Sequence, residues 1–375
     1  MNLRLVSPVA VTTAIALCSS IAWGENASRN ELAAYSVHGL VSDGSVPADH
    51  VDVSLRNAWG IAFNPTAEVW IANNKTSTST LYDGTGAKFP LGPFPLVTLP
   101  PGTRGDASPT GIVFNATTDF SVAESGLTGT AAFIFAGENG TIMGWAPAVD
   151  LGNAFVTYDD KSGGAIYKGL ALAQNGTANF LYATDFHNAK IDVFDKTFKR
   201  VTVKGGFRDP NIPAGYAPFG IQNIQGNLYV TFAKQDGDRG DDVPGRGFGF
   251  VDVFDGNGNL IRRVATRGTL NAPWGMAMAP ADFGKFANRL LVGNFGDGTI
   301  NAFDPATGAF VGQLHAANGQ ILRIDSLWGL SFGDGVLNQP INGLFFTSGP
   351  GNEQHGLYGR IDAVAGDGRP EDSNY

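Results

Sequence analysis

The sequence predicts an all-β fold: a six-bladed β-propeller of four-stranded antiparallel blades, with the ring closed by the N-terminal strand. Three observations carry this prediction. First, a glycine preceded by an aromatic or polar residue and followed by an aliphatic one recurs at Gly60, Gly111, Gly169, Gly220, Gly275 and Gly329, at intervals of 51, 58, 51, 55 and 54 residues. A period of this length marks a repeated structural unit. Second, the composition is rich in glycine (51) and proline (20), with phenylalanine (26) the dominant aromatic and charged residues only 16%, as short strands joined by tight turns require. Third, each glycine is followed by further apolar runs with strand character.

The second run of each unit reads "EVWIANN", "AAFIFAGENG", "NFLYATDFHN", "NLYVTFAK", "RLLVGNFGDG" and "GLFFTSGPG", and is expected ten to fifteen residues after the glycine. The third runs are "TLYDGTG", "TIMGWAPA", "KIDVFDKTF", "FVDVFDGNG", "TINAFDPATG" and "LYGRIDAV". Their alternation and β-branched or aromatic content mark strands, and "DGTG", "DGNGN" and "DPATG" are hairpin turns whose glycine supplies positive φ. Fourth runs follow in five units as "FPLVTLP", "FVTYD", "KRVTVKG", "LIRRVAT" and "FVGQLHA". The sixth unit lacks one, while "AYSVHGLVSDG" (residues 34–44) precedes the first unit without a place. The two deficits cancel if residues 35–41 pair with residues 357–364, which also removes an exposed sheet edge. The glycine then lies on the innermost strand, where room is least, and Trp59, Trp274 and Trp328 beside it are expected to pack between adjacent blades.

The domain reading is a signal peptide over residues 1–24, one propeller domain over 25–366 and a polar tail over 367–375. "MNLR" carries positive charge, the stretch after it is short and apolar, and Ala22 and Gly24 form a small-residue cleavage site. Export to a secreted or periplasmic location is expected, with Cys18 discarded and no cysteine left for disulfides. A net charge of −9 and a pI near 5.0 argue against a nucleic-acid surface, which needs a basic stripe. A monomer with no membrane span after cleavage is expected.

The grammar of a Gly-aliphatic inner strand, then "xLYVA(N/D)", then "IxVFD", is similar to that of NHL-repeat propellers. With "LVSDG" and "GFRDPNIPAGYAPFG", the mature chain resembles a family of exported propellers related to NHL-repeat and gluconolactonase-like proteins. The resemblance implies the fold across residues 34–364. It does not select a function, because propellers host lyases, lactonases, dehydrogenases and binding modules.

Motifs narrow the field. There is no G-x-S-x-G, H-E-x-x-H, Walker or C-x-x-C signature. His38, His50, His187, His315 and His355 are scattered and read as structural histidines. Topology directs attention to the loops that enter each inner strand and those that join second to third strands, since both converge around the central channel. The ligand-binding candidates there are Asn74, Glu138, Asn139, Asp185, His187, Lys234 and Asn294, with Arg208 and Tyr216 in the insertion 204–216 as roof contacts. A second insertion, 234–249, carries Asp236, Asp238, Asp241 and Asp242, whose D-x-D spacing suggests calcium without the full hand pattern; a solvated loop is the favoured reading. Glu138 is the lone carboxylate among mostly neutral equivalents.

Two function classes fit. One is a binding module for a small polar ligand or an extracellular partner protein, working through the loop face at the channel. The other is a metal-assisted hydrolase of lactone-like esters, in which Glu138, Asp185 and Asn294 hold Ca²⁺ or Zn²⁺.

Overall fold

The computed structural model describes residues 32–366; the signal-peptide reading and the tail 367–375 lie outside the described residues. Six antiparallel sheets are arranged as blades around an axis. Blade 1 comprises Ala58–Phe63, Val69–Asn73, Thr78–Tyr82 and Val97–Thr98, from inner to outer strand. Blade 2 comprises Pro109–Phe114, Phe133–Gly137, Thr141–Trp145 and Phe155–Asp159. Blade 3 comprises Tyr167–Asn175, Ala178–Asp185, Lys190–Phe194 and Arg200–Val201. Blade 4 comprises Tyr216–Ile224, Asn227–Lys234, Gly249–Phe254 and Leu260–Thr266. Blade 5 comprises Pro273–Met278, Leu290–Asn294, Ile300–Phe303 and Phe310–Gln313. Blade 6 comprises Leu327–Phe332, Leu344–Ser348 and Leu357–Val364, and its outer strand is Ala34–Ser42.

The ring closes as the two strand deficits require. Ala34 pairs with Val364 and Ser42 with Leu357, with a bulge between Gly39 and Val41. Tyr35 anchors the strand: its backbone N–H donates to the His315 carbonyl (2.9 Å), while its hydroxyl donates to the Phe283 carbonyl (3.1 Å) and accepts from the Phe286 N–H (3.0 Å). The first and last described strands are thereby paired in blade 6, and Tyr35 ties that pair to blade 5.

Second and third strands are buried on both faces, for example throughout Val69–Asn73 and Thr141–Trp145, because each blade is sandwiched between two others. This is why they read as continuous apolar runs rather than clean alternations. The repeated glycines sit where neighbouring inner strands touch. A Cβ at Gly220 would collide with the Trp274 carbonyl of blade 5, and one at Gly275 with the Trp328 carbonyl of blade 6. Threonines bind the same joints, with Thr184 donating to the Phe219 carbonyl (2.7 Å) and Thr347 to the Trp59 carbonyl.

Two features depart from expectation. Blade 2 carries an inserted hairpin, Ser121–Glu124 with Leu127–Thr130, between its first and second strands, so its second strand begins later than the expected ten to fifteen residues and the longest interval, 58, falls there. The tryptophans also do more than separate neighbours. Trp59 of blade 1 stacks on Trp328 of the adjacent blade 6 (centroids 3.5 Å, 15°), but it also meets Trp274 of blade 5 edge-on (6.3 Å), and Phe219 of blade 4 meets Trp328 (5.9 Å). Contacts between non-adjacent blades can only cross the axis, so these rings plug the channel. A cavity of about 30 Å³, lined by Gly60, Gly111, Gly275, Gly329 and Trp274 among others, has room for about one water.

Candidate functional site

Position along the inner strand decides what faces the plug. The residues preceding the repeated glycines are Trp59, Thr110, Lys168, Phe219, Trp274 and Trp328. Lys168 is the one charged member. It is 1% exposed, and its ammonium lies 5.1 Å from the centroid of the Trp59 ring, across the channel from blade 3 to blade 1. Trp274 Nε1 donates to the Lys168 carbonyl (2.9 Å) and holds that strand from the far side.

A buried ammonium demands counterions, and the loop face supplies them. Lys168 Nζ donates to Glu138 Oε1 (2.5 Å) and to Asp241 Oδ1 (2.6 Å). Glu138, just past the second strand of blade 2, accepts on Oε2 from Asn74 Nδ2 (2.8 Å). Asn74 Oδ1 in turn accepts from Asn57 Nδ2 (3.2 Å), which also donates to Glu353 Oε2 (2.7 Å), and Asn57 Oδ1 accepts from Trp328 Nε1 (2.9 Å). A continuous network therefore runs from the aromatic plug through amides and carboxylates of blades 1, 2, 4 and 6 to the ammonium of blade 3.

Two of its members sit on left-handed backbone. Asn57 has φ +45°, and Glu353 (φ +63°) ends a run of three left-handed residues that begins with Gly351 and Asn352. The left-handed step at Asn57 belongs to the repeat, since Ser108, Ala272 and Ser326 take positive φ at the same distance before their glycines, whereas the run ending at Glu353 belongs to the link of blade 6. The side chains of Asn57 and Glu353 bond each other at the channel mouth.

Charge is concentrated as well. Burial alone would depress the Lys168 ammonium, but Glu138 and Asp241 outweigh it and hold its pKa above the usual lysine value. Burial pushes the Asp242 carboxyl up to about 7, Lys168 pulling it down while Asp241 and Glu353 push it further up. Burial likewise raises Glu353, against the pull of Lys168 and the Asn57 hydrogen bond. Asp242 Oδ2 and Trp59 Nε1 are both buried without a hydrogen-bond partner, an acceptor and a donor left open close to the ammonium.

The structure brings together only some of the sequence-predicted residues. Asn74 and Glu138 lie in the network. Asn139 is a turn residue, accepting from the Thr141 N–H and hydroxyl. Asp185 is fully buried and caps its own loop through Ile166 N, Asn188 and Lys190. Asn294 braces blade 5 through Thr269, Thr299 and the Asn271 N–H. Glu138, Asp185 and Asn294 thus have separate sets of partners, and among the described residues no group of three or more His, Cys, Asp or Glu is arranged to hold a metal ion. His187 is half-buried beside Gly164 with Nδ1 unpartnered, and Lys234 lies over the Phe248 ring (4.3 Å).

The insertion 204–216 does not roof the mouth. Phe207 is buried against Tyr182 and Phe254, and Asp209 pairs with Arg263 of the outer strand, so this segment packs on the flank of blade 4. Arg208 is exposed there, and Tyr216 packs edge-on against Phe250 (5.0 Å). The acidic insertion, expected as a solvated loop, is the one that reaches the mouth through Asp241 and Asp242. Sequence reasoning missed Lys168 and Glu353. The first carried a signal, a charge at a repeat position otherwise aromatic or hydroxylic; the second carried none, because its placement depends on the left-handed turn.

Fold and site together define a six-bladed propeller whose loop face holds a buried ammonium ringed by carboxylates and amides above an aromatic plug. No protein-family model matches the chain. Uncharacterised protein R648 of Acanthamoeba polyphaga mimivirus is 36% identical over 344 residues, covering 89% of this chain and 81% of that protein. The chain belongs to the family of that mimivirus protein. Among solved structures, a structural genomics protein of unknown function from Bacteroides thetaiotaomicron aligns with a TM-score of 0.56 at 11% identity, covering 88% of this chain and 76% of that one. Virginiamycin B lyase from Staphylococcus aureus aligns with a TM-score of 0.50 at 15% identity, covering 88% of this chain and all of the lyase. At these identities the likeness is one of fold.

Proposed function

We propose that this protein is a binding module, exported as a monomer, that takes a small polar ligand at the mouth of its central channel on the loop face. The observation that carries the reading is the Lys168 network: an ion cluster assembled by loops of several blades around a buried ammonium, with the Trp59 donor and the Asp242 acceptor left open. Side chains of blades 1, 2, 4 and 6 converge there on one buried ammonium, and a concave convergence of polar groups is the default place for a ligand.

The metal-assisted hydrolase is the weaker alternative. A divalent cation at Glu138 would have to displace an ammonium already 2.5 Å from its oxygen, and the two cations would repel each other strongly at that range. Titration calorimetry with neutral sugars and sugar acids tests the reading on the parent, on Lys168→Met and Glu138→Gln at the mouth, and on Arg208→Ala on the flank. Binding lost in the mouth variants and retained in the flank variant supports it. The reverse pattern would remove it.

A further inference from the structure

The link between second and third strands is four residues in blade 1 (74–77), three in blade 2 (138–140), four in blade 3 (186–189), five in blade 5 (295–299) and eight in blade 6 (349–356), but fourteen in blade 4 (235–248). The extra length folds into a small hairpin. Asp236 N–H donates to the Asp241 carbonyl (2.9 Å), Gly240 N–H to Asp236 Oδ1 (2.9 Å), and Val243 N–H to the Lys234 carbonyl (2.8 Å). Its trailing half docks on the approach to blade 5, where Gly245 N–H donates to Asn271 Oδ1 (2.6 Å) and Gly247 N–H to the Leu270 carbonyl (2.7 Å). The tip lays Asp241 on Lys168.

The two counterions of Lys168 are not alike. Glu138 is 27% exposed and clamped from behind by Asn74, whereas Asp241 is 72% exposed and its side chain has no partner but the ammonium among the described residues. A lysine that is 1% exposed is thus completed by a carboxylate that reaches in from solvent on a long hairpin. We propose that Asp241 is a built-in stand-in for a ligand carboxylate: the mouth binds small organic acids that also carry hydroxyl groups, and the ligand's carboxylate replaces Asp241 on Lys168 as the hairpin lifts. The inference rests on the reading of the mouth as the binding site.

Each requirement on the ligand follows from a group at the mouth. The carboxylate is required by Lys168, which loses a counterion when Asp241 leaves. Hydroxyl donors are required because the remaining neighbours, Glu138, Asp242 and Glu353, would repel a bare anion, and Asp242 Oδ2 is a buried acceptor without a partner. A hydroxyl can also accept from Trp59 Nε1, the open buried donor. A neutral polyol would leave the ammonium short of charge once Asp241 moved.

Galacturonate and galactose share their hydroxylated ring and differ in the carboxylate, so they isolate the inference. Quenching of the tryptophans at the plug or calorimetry reads the binding. The parent should bind galacturonate at least tenfold more tightly than galactose. Asp241→Asn, which removes the internal competitor, should tighten galacturonate about three- to tenfold, because affinity is reduced by the fraction of protein in the closed state. Asp236→Ala, which removes the acceptor for Gly240 N–H and so frees the hairpin without touching Lys168, should tighten it in the same direction, and Lys168→Met should erase the preference. Equal binding of the two sugars, no binding of either, or weaker galacturonate binding in both hairpin variants overturns the inference. Equal binding that is still lost in Glu138→Gln would leave the mouth as the site, whereas loss only in Arg208→Ala would remove the mouth as well.

Discussion

Replacing Lys168 by methionine tests the electrostatic core of the site, because methionine keeps the apolar stem of the side chain and removes the ammonium with its bonds to Glu138 and Asp241. Truncating one partner of a buried pair costs about 3–5 kcal/mol when the orphaned charge stays buried. Here the orphans are Glu138, 27% exposed, and Asp241, 72% exposed. Both can regain water, Asp241 almost fully, so the cost should fall to about 2–3 kcal/mol, most of it from Glu138 held against Asn74. For a domain of this size that lowers the melting temperature by roughly 3–4 °C. The Trp274 hydrogen bond goes to the Lys168 carbonyl and survives the change. Thermal and urea unfolding followed by tryptophan fluorescence give the number, and the double variant Lys168→Met/Glu138→Gln should recover about 1 kcal/mol because the orphan is neutralised. A single variant that melts within about 1 °C of the parent, or a double variant no better than the single, would refute the account of a buried ammonium held by these carboxylates.

Asp242, raised to about 7 from 3.8 by burial, keeps its proton in the folded state over a range where the unfolded chain has lost it. Its contribution to stability therefore falls as pH rises from about 4 to about 7 and is level above, so Asp242→Asn should gain on the order of 1–2 kcal/mol at pH 8 and nothing at pH 4; a parent-minus-variant profile that is flat with pH would contradict this. Deleting residues 25–42 removes the outer strand of blade 6 together with Tyr35, and should open the ring, lower the melting temperature by at least 10 °C and promote aggregation; a truncated protein that melts like the parent would show that closure is dispensable. Protein recovered from a secreted or periplasmic fraction should begin between about residues 23 and 26, and recovery with Met1 intact would refute export. Asn57→Gly should cost about 1–3 kcal/mol, since relief of φ +45° only partly offsets the hydrogen bonds lost to Asn74, Glu353 and Trp328, and should abolish ligand binding; unchanged binding would take Asn57 out of the site.

The fold was legible because its causes are local and repeated. A glycine at each inter-blade contact, an apolar second run buried on both faces and an Asp-Gly turn all leave marks at a fixed spacing, and even the ring closure follows from counting strands. What blurred were the outer strands, where packing is one-sided. "FPLVTLP" and "KRVTVKG" shrink to Val97–Thr98 and Arg200–Val201, while "FVTYD" and "LIRRVAT" span Phe155–Asp159 and Leu260–Thr266 as read. The site was half legible for a different reason. Glu138 and Asn74 stand at equivalent positions just past their second strands, so the repeat places them; Asp241 and Glu353 arrive on irregular segments whose course is set by a docked hairpin and a left-handed turn, neither of which has a period.

The near-twin stretches "NAWGIAFNP" and "NAPWGMAMAP" show how a repeat can mislead about function. Both put an asparagine before a Trp-Gly step, but the second has an extra proline, so relative to the glycine Asn57 is matched by Ala272, not by Asn271. The backbone agrees with that register: Asn57 and Ala272 share φ +45°. Asn57 therefore turns its amide into the mouth between Trp328 and Glu353, whereas Asn271, one residue earlier in register, accepts from Gly245 N–H and serves the hairpin's dock. One inserted residue moves the same side chain from the candidate site to the scaffold that supports its cap. In a ring built by repetition the scaffold obeys the period, so chemistry has to be sought where a residue breaks it: an ammonium at Lys168 where other blades present rings or a hydroxyl, a fourteen-residue link in blade 4 where the other blades use three to eight, and a carboxylate, Glu353, turned onto Asn57 from the link of blade 6.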